Sequence, residues 1–267
     1  MTLAASSERG LRVERAAGHD ELVVLTLDRP ASMNAIDSTL LARLLEVLDA
    51  VDRDGTIRGV VLTGAGGRAF SAGMDLKERA GFTDDRLWAQ RRRIVALIQR
   101  LHELPVATIA AVEGAAMGGG FEMALACDLI VASSAATFGL PETRVGIFPG
   151  GGATQTLTWL VGPARARDVI LTGRRLTAAE AEQWGVVARV VEPGAALEGA
   201  VALATTIGEG APLGIRQAKA AIRGAHRALA QGLEAENGLY DVVLRSADRV
   251  EGFRAFVEKR RPRFEGR

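Results

Sequence analysis

In the stretch "GAAMGGGFEMALACD", Gly114 to Asp128, three glycines stand directly before a glutamate. Glycines at a helix start leave backbone N–H groups unobstructed, and the helix dipole adds partial positive charge there, so the place suits an oxyanion. Glu122 falls in the first turn of that helix. A second acid, Glu142 in "LPETRVGIFPGGG", follows twenty positions later, with a strand and a turn between them. Such a helix, strand and turn can bring both acids to the same end of a core. Two facing carboxylates beside an oxyanion pocket would form a general acid/base pair. Each feature also has a plainer reading. The glycines can make a tight strand-to-helix turn in which Glu122 merely favours the dipole, and Pro141 at N1 with Glu142 at N2 is an ordinary helix start.

Two other glycine-rich spots compete for a chemical role. "LTGAGGRAFSAG" follows a strand and contains Gly64-x-Gly66-x-x-Ala69, a partial dinucleotide fingerprint. That motif should open a long amphipathic helix, and "RAFSAGMDLKE" has no clean helical period. "GIFPGGGATQT" lacks the lysine of a phosphate-binding loop.

The elements that must position these residues alternate along the chain. "ELVVLTLDRP" reads as a strand ended by Pro30. In the next segment Ile36, Leu40, Leu41, Leu44, Leu45, Leu48 and Val51 fall on one helical face, with Asp37 or Ser38 as N-cap. "RGVVLTGAGG" is a second strand, "DDRLWAQRRRIVALIQRLHELP" a helix stopped near Pro105, "VATIAAVEG" a buried strand and "DLIVAS" another. The helix after the glycine triplet is expected to begin around Phe121. This alternation predicts an α/β core. After about Pro193 the strand signal ends, and segments 195–209, 212–230, 233–246 and 248–260 read as helices. We expect a core over 1–194 and a helical region over 195–267 that self-associates and closes over the site.

Composition narrows the classes. The chain has 267 residues, 48% hydrophobic and 24% charged, with a formal net charge of +1, so bulk electrostatics points to no nucleic-acid partner. Cys127 is the only cysteine, and His19, His102 and His226 are far apart and in no ligand-spaced motif, which argues against a disulfide or a zinc site. The first residues, "MTLAASSERG", lack the apolar core of a secretory signal, and no apolar run nears the roughly 20 residues that span a bilayer. The expectation is a cytoplasmic protein without membrane partners.

Five segments, taken in order, resemble one family. They are "RAFSAGMDLKE" (68–78), "LPVATIAAVEGAAMGGGFEMALACDLIVAS" (104–133), "FGLPETRVGIFPGGGATQ" (138–155), "LTGRRLTAAEAEQWGVVARVV" (171–191) and "EGFRAFVEKRRPRF" (251–264). The chain is identified by them as a member of the enoyl-CoA hydratase/isomerase, or crotonase, superfamily. "AGMDLKERA" and "FVEKRRPRF" are most similar to the methylglutaconyl-CoA hydratase branch.

The resemblance implies a spiral of strand-strand-helix units with C-terminal helices that drive a homotrimer or homohexamer. It implies two backbone donors for a thioester oxygen, matched to Ala72 and Gly119, and an acid/base pair matched to Glu122 and Glu142. Glu122 would act on the attacking water and Glu142 would protonate Cα. Coenzyme A would enter as part of the acyl-CoA substrate, with no metal or further cofactor. Its contacts are matched to Arg29, Ala31, Ala72, Gly73, Met74, Asp75 and Leu76, and more weakly to Phe256 and Lys259. Lys259 also reads as a solvated helix-end lysine.

Met74, Phe121 and Thr156 depart from the residues usual in the family, and the first two are expected to narrow the acyl pocket. Double-bond isomerisation on the same scaffold is the nearest rival activity. RNA binding, known for one member of the branch, would want a lysine-rich helix. Here "DSTLLARLLEVLDAVDRD" carries only Arg43 and Arg53 as cations. A pure scaffold would leave the two glutamates unexplained.

Overall fold

The computed structural model describes residues 4–224, 234, 237, 240–242 and 244–263. Its strands are β1 (Ser6–Glu8), β2 (Leu11–Ala16), β3 (His19–Leu27), β4 (Gly59–Gly64), β5 (Ala69–Ser71), β6 (Ala107–Val112), β7 (Ala115–Met117), β8 (Leu129–Ser133), β9 (Thr137–Gly139), β10 (Arg175–Thr177) and β11 (Arg189–Val191). Its helices are α1 (Ser38–Arg53), α2 (Leu76–Arg79), α3 (Asp84–Glu103), α4 (Gly119–Ala126), α5 (Ala153–Val161), α6 (Pro163–Thr172), α7 (Ala178–Gln183), α8 (Ala196–Gly208), α9 (Pro212–Gly224) and α10 (Ala247–Val257).

Two sheets organise the core. The larger has the order β1-β2-β3-β4-β6-β8-β11, antiparallel at β1-β2-β3 and parallel from β3 onward. The smaller has the order β10-β9-β7-β5. Within it β5, β7 and β9 run parallel, and β10 returns antiparallel. The chain repeats one path: β4 leads to β5, β6 to β7 and β8 to β9, each a large-sheet strand followed by a short small-sheet strand. The resulting strand-strand-helix spiral is the fold class expected from the resemblance.

Local chemistry explains the helix starts. Asp37 caps α1 by accepting from Leu40 N at 2.8 Å, and Asp75 caps α2 by accepting from Lys77 N at 3.2 Å. Leu40, Leu41, Leu44, Val47, Leu48 and Val51 bury the inner face of α1, while Leu45 is only half-buried. The long α3 buries Ile94, Leu97, Ile98 and Leu101 against the same core.

The other face of the larger sheet is covered by α8. Ala196, Ala200, Leu203 and Ala204 pack on Leu22, Val61, Ile109 and Val131. These small residues let the helix lie close, so α8 forms one layer against the larger sheet. On the opposite side Phe253 of α10 joins Leu87, Ile147, Tyr240 and Leu244 in a small cluster beside the site. Of the expected helices, 225–230 at the end of 212–230 and residues 233, 235, 236, 238, 239 and 243 of 233–246 lie outside the described residues. No helix among those described is long and apolar enough to cross a membrane.

Candidate active site

The parallel pairing of β5, β7 and β9 brings the sequence-distant residues together. Ser71 pairs with Ala116, and Met117 with Gly139, so the three strands exit side by side at one edge. After β5 come Ala72 to Asp75, after β7 the glycine triplet, and after β9 Pro141 and Glu142. The twenty-residue spacing of the glutamates is one circuit of this path.

Each of the three glycines has its own reason. Gly118 sits at φ +54, and a Cβ there would lie 3.1 Å from Glu142 Oε1. At Gly120 a Cβ would meet Ser71 O at 2.3 Å, so this glycine is required for packing. Gly119 is different. A Cβ would find nothing closer than Gly73 Cα at 3.6 Å, followed by Met74 N at 3.7 Å. Neither packing nor backbone conformation demands glycine at this position. Helix α4 begins at Gly119, two residues before the expected start, which leaves its amide without an intrahelical partner.

The expected second donor, Ala72, is already engaged. Ala72 N donates to Met33 O at 2.9 Å, so that amide is committed to the loop. The neighbouring Gly73, at φ +85, packs so closely that a Cβ would be 2.8 Å from Gly119 N. The turn at Gly73 brings the Met74 amide beside Gly119, and neither amide donates to a described protein group. The matched position is therefore shifted by two residues, from Ala72 to Met74. Ala72 remains a wall residue of the cavity.

That cavity, about 520 Å³, is lined by Ala72, Met74, Gly119, Glu122 and Glu142 among others. Glu122 is buried, and its Oε1 accepts from Gly151 N at 2.7 Å and Ala153 N at 3.2 Å. The glycine run "PGGG" thus seats a carboxylate. A Cβ on Gly151 would lie 2.7 Å from Glu122 Oε2. The run lacks the lysine of a phosphate loop and serves a carboxylate instead. Glu142 opens a 3₁₀ turn (Glu142–Val145) whose N-cap is Pro141, one place earlier than a helix with proline at N1. Its Oε2 is sealed from solvent and has no hydrogen-bond partner among the described residues. Burial pushes the Glu142 carboxyl well above the usual carboxylate range, and the nearby Glu122 raises it further. The Arg79 cation opposes this shift.

The other matched residues divide. Ala31, Asp75, Leu76 and Phe256 line the cavity. Arg29 does not; it braces the loops, hydrogen-bonding Ala35 O and pairing with Asp37 at 3.1 Å and Asp75 at 3.2 Å. Lys259 is exposed beyond the end of α10 at φ +54 and lies outside the cavity wall, in keeping with a solvated helix-end lysine. Phe121 does not narrow the pocket, because it is fully buried against Phe138 with ring centroids 5.1 Å apart. Met74 does form part of the wall. Thr156 donates to Gly152 O at 3.1 Å within the start of α5. Among the described residues no cluster of histidine, cysteine or acidic groups could hold a metal ion.

The enoyl-CoA hydratase/isomerase family model matches residues 18–267. The human enoyl-CoA hydratase domain-containing protein 2, mitochondrial, is 39% identical over 263 residues, covering 96% of this chain and 90% of its own. A crystal structure of an enoyl-CoA hydratase from Bacillus anthracis superposes with a TM-score of 0.79 at 39% identity, covering 97% of this chain and all of its own. The carnitinyl-CoA hydratase of Mycobacterium avium gives a TM-score of 0.87 at 33% identity, covering 98% and 100% of the two chains. With the family model spanning nearly its whole length, the chain belongs to the enoyl-CoA hydratase/isomerase family.

Proposed function

We infer that the protein is an enoyl-CoA hydratase, adding water across the 2,3 double bond of a 2-enoyl-CoA thioester. The observation that carries this reading is the pair of buried carboxylates, Glu122 and Glu142, in one cavity with the Met74 and Gly119 amides. The two acids have opposite surroundings. Glu122 accepts backbone N–H bonds, which favour a charged carboxylate; burial biases Glu142 toward its protonated form. That division supplies a base and an acid at once. Glu122 takes a proton from water as its oxygen bonds to C3. The π pair of C2=C3 shifts toward the thioester, placing negative charge on its oxygen. The Gly119 and Met74 amides stabilise that charge, and Glu142 delivers a proton to C2. Coenzyme A is part of the substrate, and these steps call on no other cofactor.

Within the family we keep the methylglutaconyl-CoA hydratase branch as the finer placement, supported by "AGMDLKERA" and "FVEKRRPRF". We also propose a trimer or hexamer. Leu213 and Ile222 of α9 and Val250 and Val257 of α10 are each more than half exposed, which is costly for a monomer. The deciding assay compares crotonyl-CoA hydration with 3-enoyl-CoA isomerisation on one preparation. Hydration at the higher kcat/KM supports the reading; isomerisation as the only activity refutes it.

A further inference from the structure

Three arginines stand in a row on α3, and their surroundings differ. Arg92 and Arg93 are exposed, whereas Arg91 is 2% exposed. Arg91 lies on the inner face of the helix, four residues after Leu87 and three before Ile94, both buried. A leucine there would continue the apolar stripe, whereas a guanidinium carries a desolvation penalty.

The contacts show what the cation does in that place. Its Nη1 donates to Gly150 O, and its Nη2 donates to Asn237 Oδ1 at 2.9 Å. The guanidinium carbon lies 4.0 Å from the centre of the Tyr240 ring. Tyr240 is buried and meets Phe148 edge-on, with ring centroids 5.3 Å apart. A Cβ on Gly150 would collide with Arg91 Nη1 and lie 2.6 Å from Tyr240 Cε2. The missing side chain is what lets both groups approach the loop.

Gly150 O and the Gly151 N–H belong to one peptide group. That group is planar, so fixing its carbonyl fixes the direction of its N–H. The same N–H donates to Glu122 Oε1 at 2.7 Å. Guanidinium, peptide group and carboxylate therefore form one continuous line. A cation on the carbonyl oxygen also polarises the peptide group and strengthens its N–H as a donor. Glu122 depends on that aim, because a reacting group misplaced by about 1 Å loses about 10²-fold in rate.

We propose that Arg91 is a positioning residue for Glu122. Through the Gly150–Gly151 peptide group it aims the N–H that seats the carboxylate, while Asn237 and Tyr240 of the C-terminal segment hold the guanidinium. The C-terminal segment thereby sets the geometry of a base carried on α4. The plainer role for Arg91 is to fasten that segment to the core, with no effect particular to Glu122.

The inference rests on the hydratase reading, and the experiment keeps the two apart. Hydration is measured with the 2-enoyl-CoA that the wild type turns over fastest. The variants are Arg91→Met, Arg91→Lys, Glu122→Gln and each Arg91 change combined with Glu122→Gln, with melting curves recorded alongside. Arg91→Met should lower kcat by about 10²-fold and leave KM within about threefold. Arg91→Lys keeps a cation but loses the fork, and should lower kcat about tenfold. In the Glu122→Gln background either change should cost less than about threefold, because the seat no longer holds a base. A residue that only fastens the C-terminal segment would lower kcat by the same factor in both backgrounds, and that result overturns the inference. So does a folded Arg91→Met with kcat within about threefold of wild type. Where Arg91→Met does not fold, the Arg91→Lys pair decides by the same comparison. A wild type that hydrates no 2-enoyl-CoA refutes the hydratase reading, and this inference with it.

Discussion

Replacing Gly119 by proline distinguishes a donor from a packing glycine. Proline has no N–H, so the variant deletes one oxyanion donor. Gly119 is the first residue of α4, where a proline ring is tolerated and no helical hydrogen bond is lost. A Cβ there approaches nothing closer than 3.6 Å. The adjacent Gly120→Ala supplies the contrast, because its Cβ would sit 2.3 Å from Ser71 O and the backbone must move. Overpacking of that kind costs about 1–3 kcal/mol. With an unfolding entropy of about 2.1 cal/mol/K per residue over 267 residues, this lowers Tm by roughly 2–5 °C. Gly119→Pro should leave Tm within about 2 °C of wild type while kcat falls about 10²–10³-fold, or about 2.7–4 kcal/mol of lost transition-state stabilisation. Ground-state affinity for coenzyme A should change far less, since the donor acts on charge that develops only during reaction. Tm, coenzyme A affinity and kcat are read on one preparation of each variant. A folded Gly119→Pro that keeps kcat within about threefold would refute the donor assignment. A Tm loss matching that of Gly120→Ala, with turnover per folded molecule intact, would make Gly119 structural.

Three further outcomes follow from the geometry. Glu142 has a folded value raised above its unfolded one, so the stability linked to its proton is full below the unfolded value and is lost as pH rises through the folded value. The wild type should lose both kcat and Tm along that alkaline limb, and Glu142→Gln should flatten the Tm loss; parallel Tm profiles would contradict this. Gly151→Ala places a Cβ 2.7 Å from Glu122 Oε2 and should lower kcat by about 10²-fold through displacement of that carboxylate, so wild-type turnover in this variant would count against the seating. Light scattering should give three or six chains per particle, and a monomer at micromolar concentration would refute the proposed assembly.

Much of the fold was legible because strong periodicity reports strong burial. The α1 stripe from Leu40 to Val51 and the apolar runs of β4, β6 and β8 were read from pattern alone. The smaller sheet was not. Its strands β5, β7, β9 and β10 are three residues each, too short for an alternation to show. β2 also escaped, since the charged Arg12, Glu14 and Arg15 make up half of "LRVERA" and mask the apolar Leu11, Val13 and Ala16. The two glutamates were legible because acids beside glycines are chemically unusual, whereas Arg91 looked like one more cation in "WAQRRRIV". Only burial and its contacts with Gly150 and Tyr240 set it apart. The two-residue slip from Ala72 to Met74 had the same origin. Which amide in a tight turn stays free depends on the Met33 carbonyl, brought in from another loop.

The central claim is that Glu122 and Glu142 perform the hydration as base and acid. The most direct measurement is single-preparation turnover of a 2-enoyl-CoA by the wild type, Glu122→Gln and Glu142→Gln, with coenzyme A affinity and melting curves recorded alongside. The amide variants keep shape and hydrogen-bonding capacity but cannot exchange the proton. Each is predicted to lose at least about 10²-fold in kcat while folding and binding coenzyme A as the wild type does. Turnover near the wild-type value in either folded variant would contradict the account.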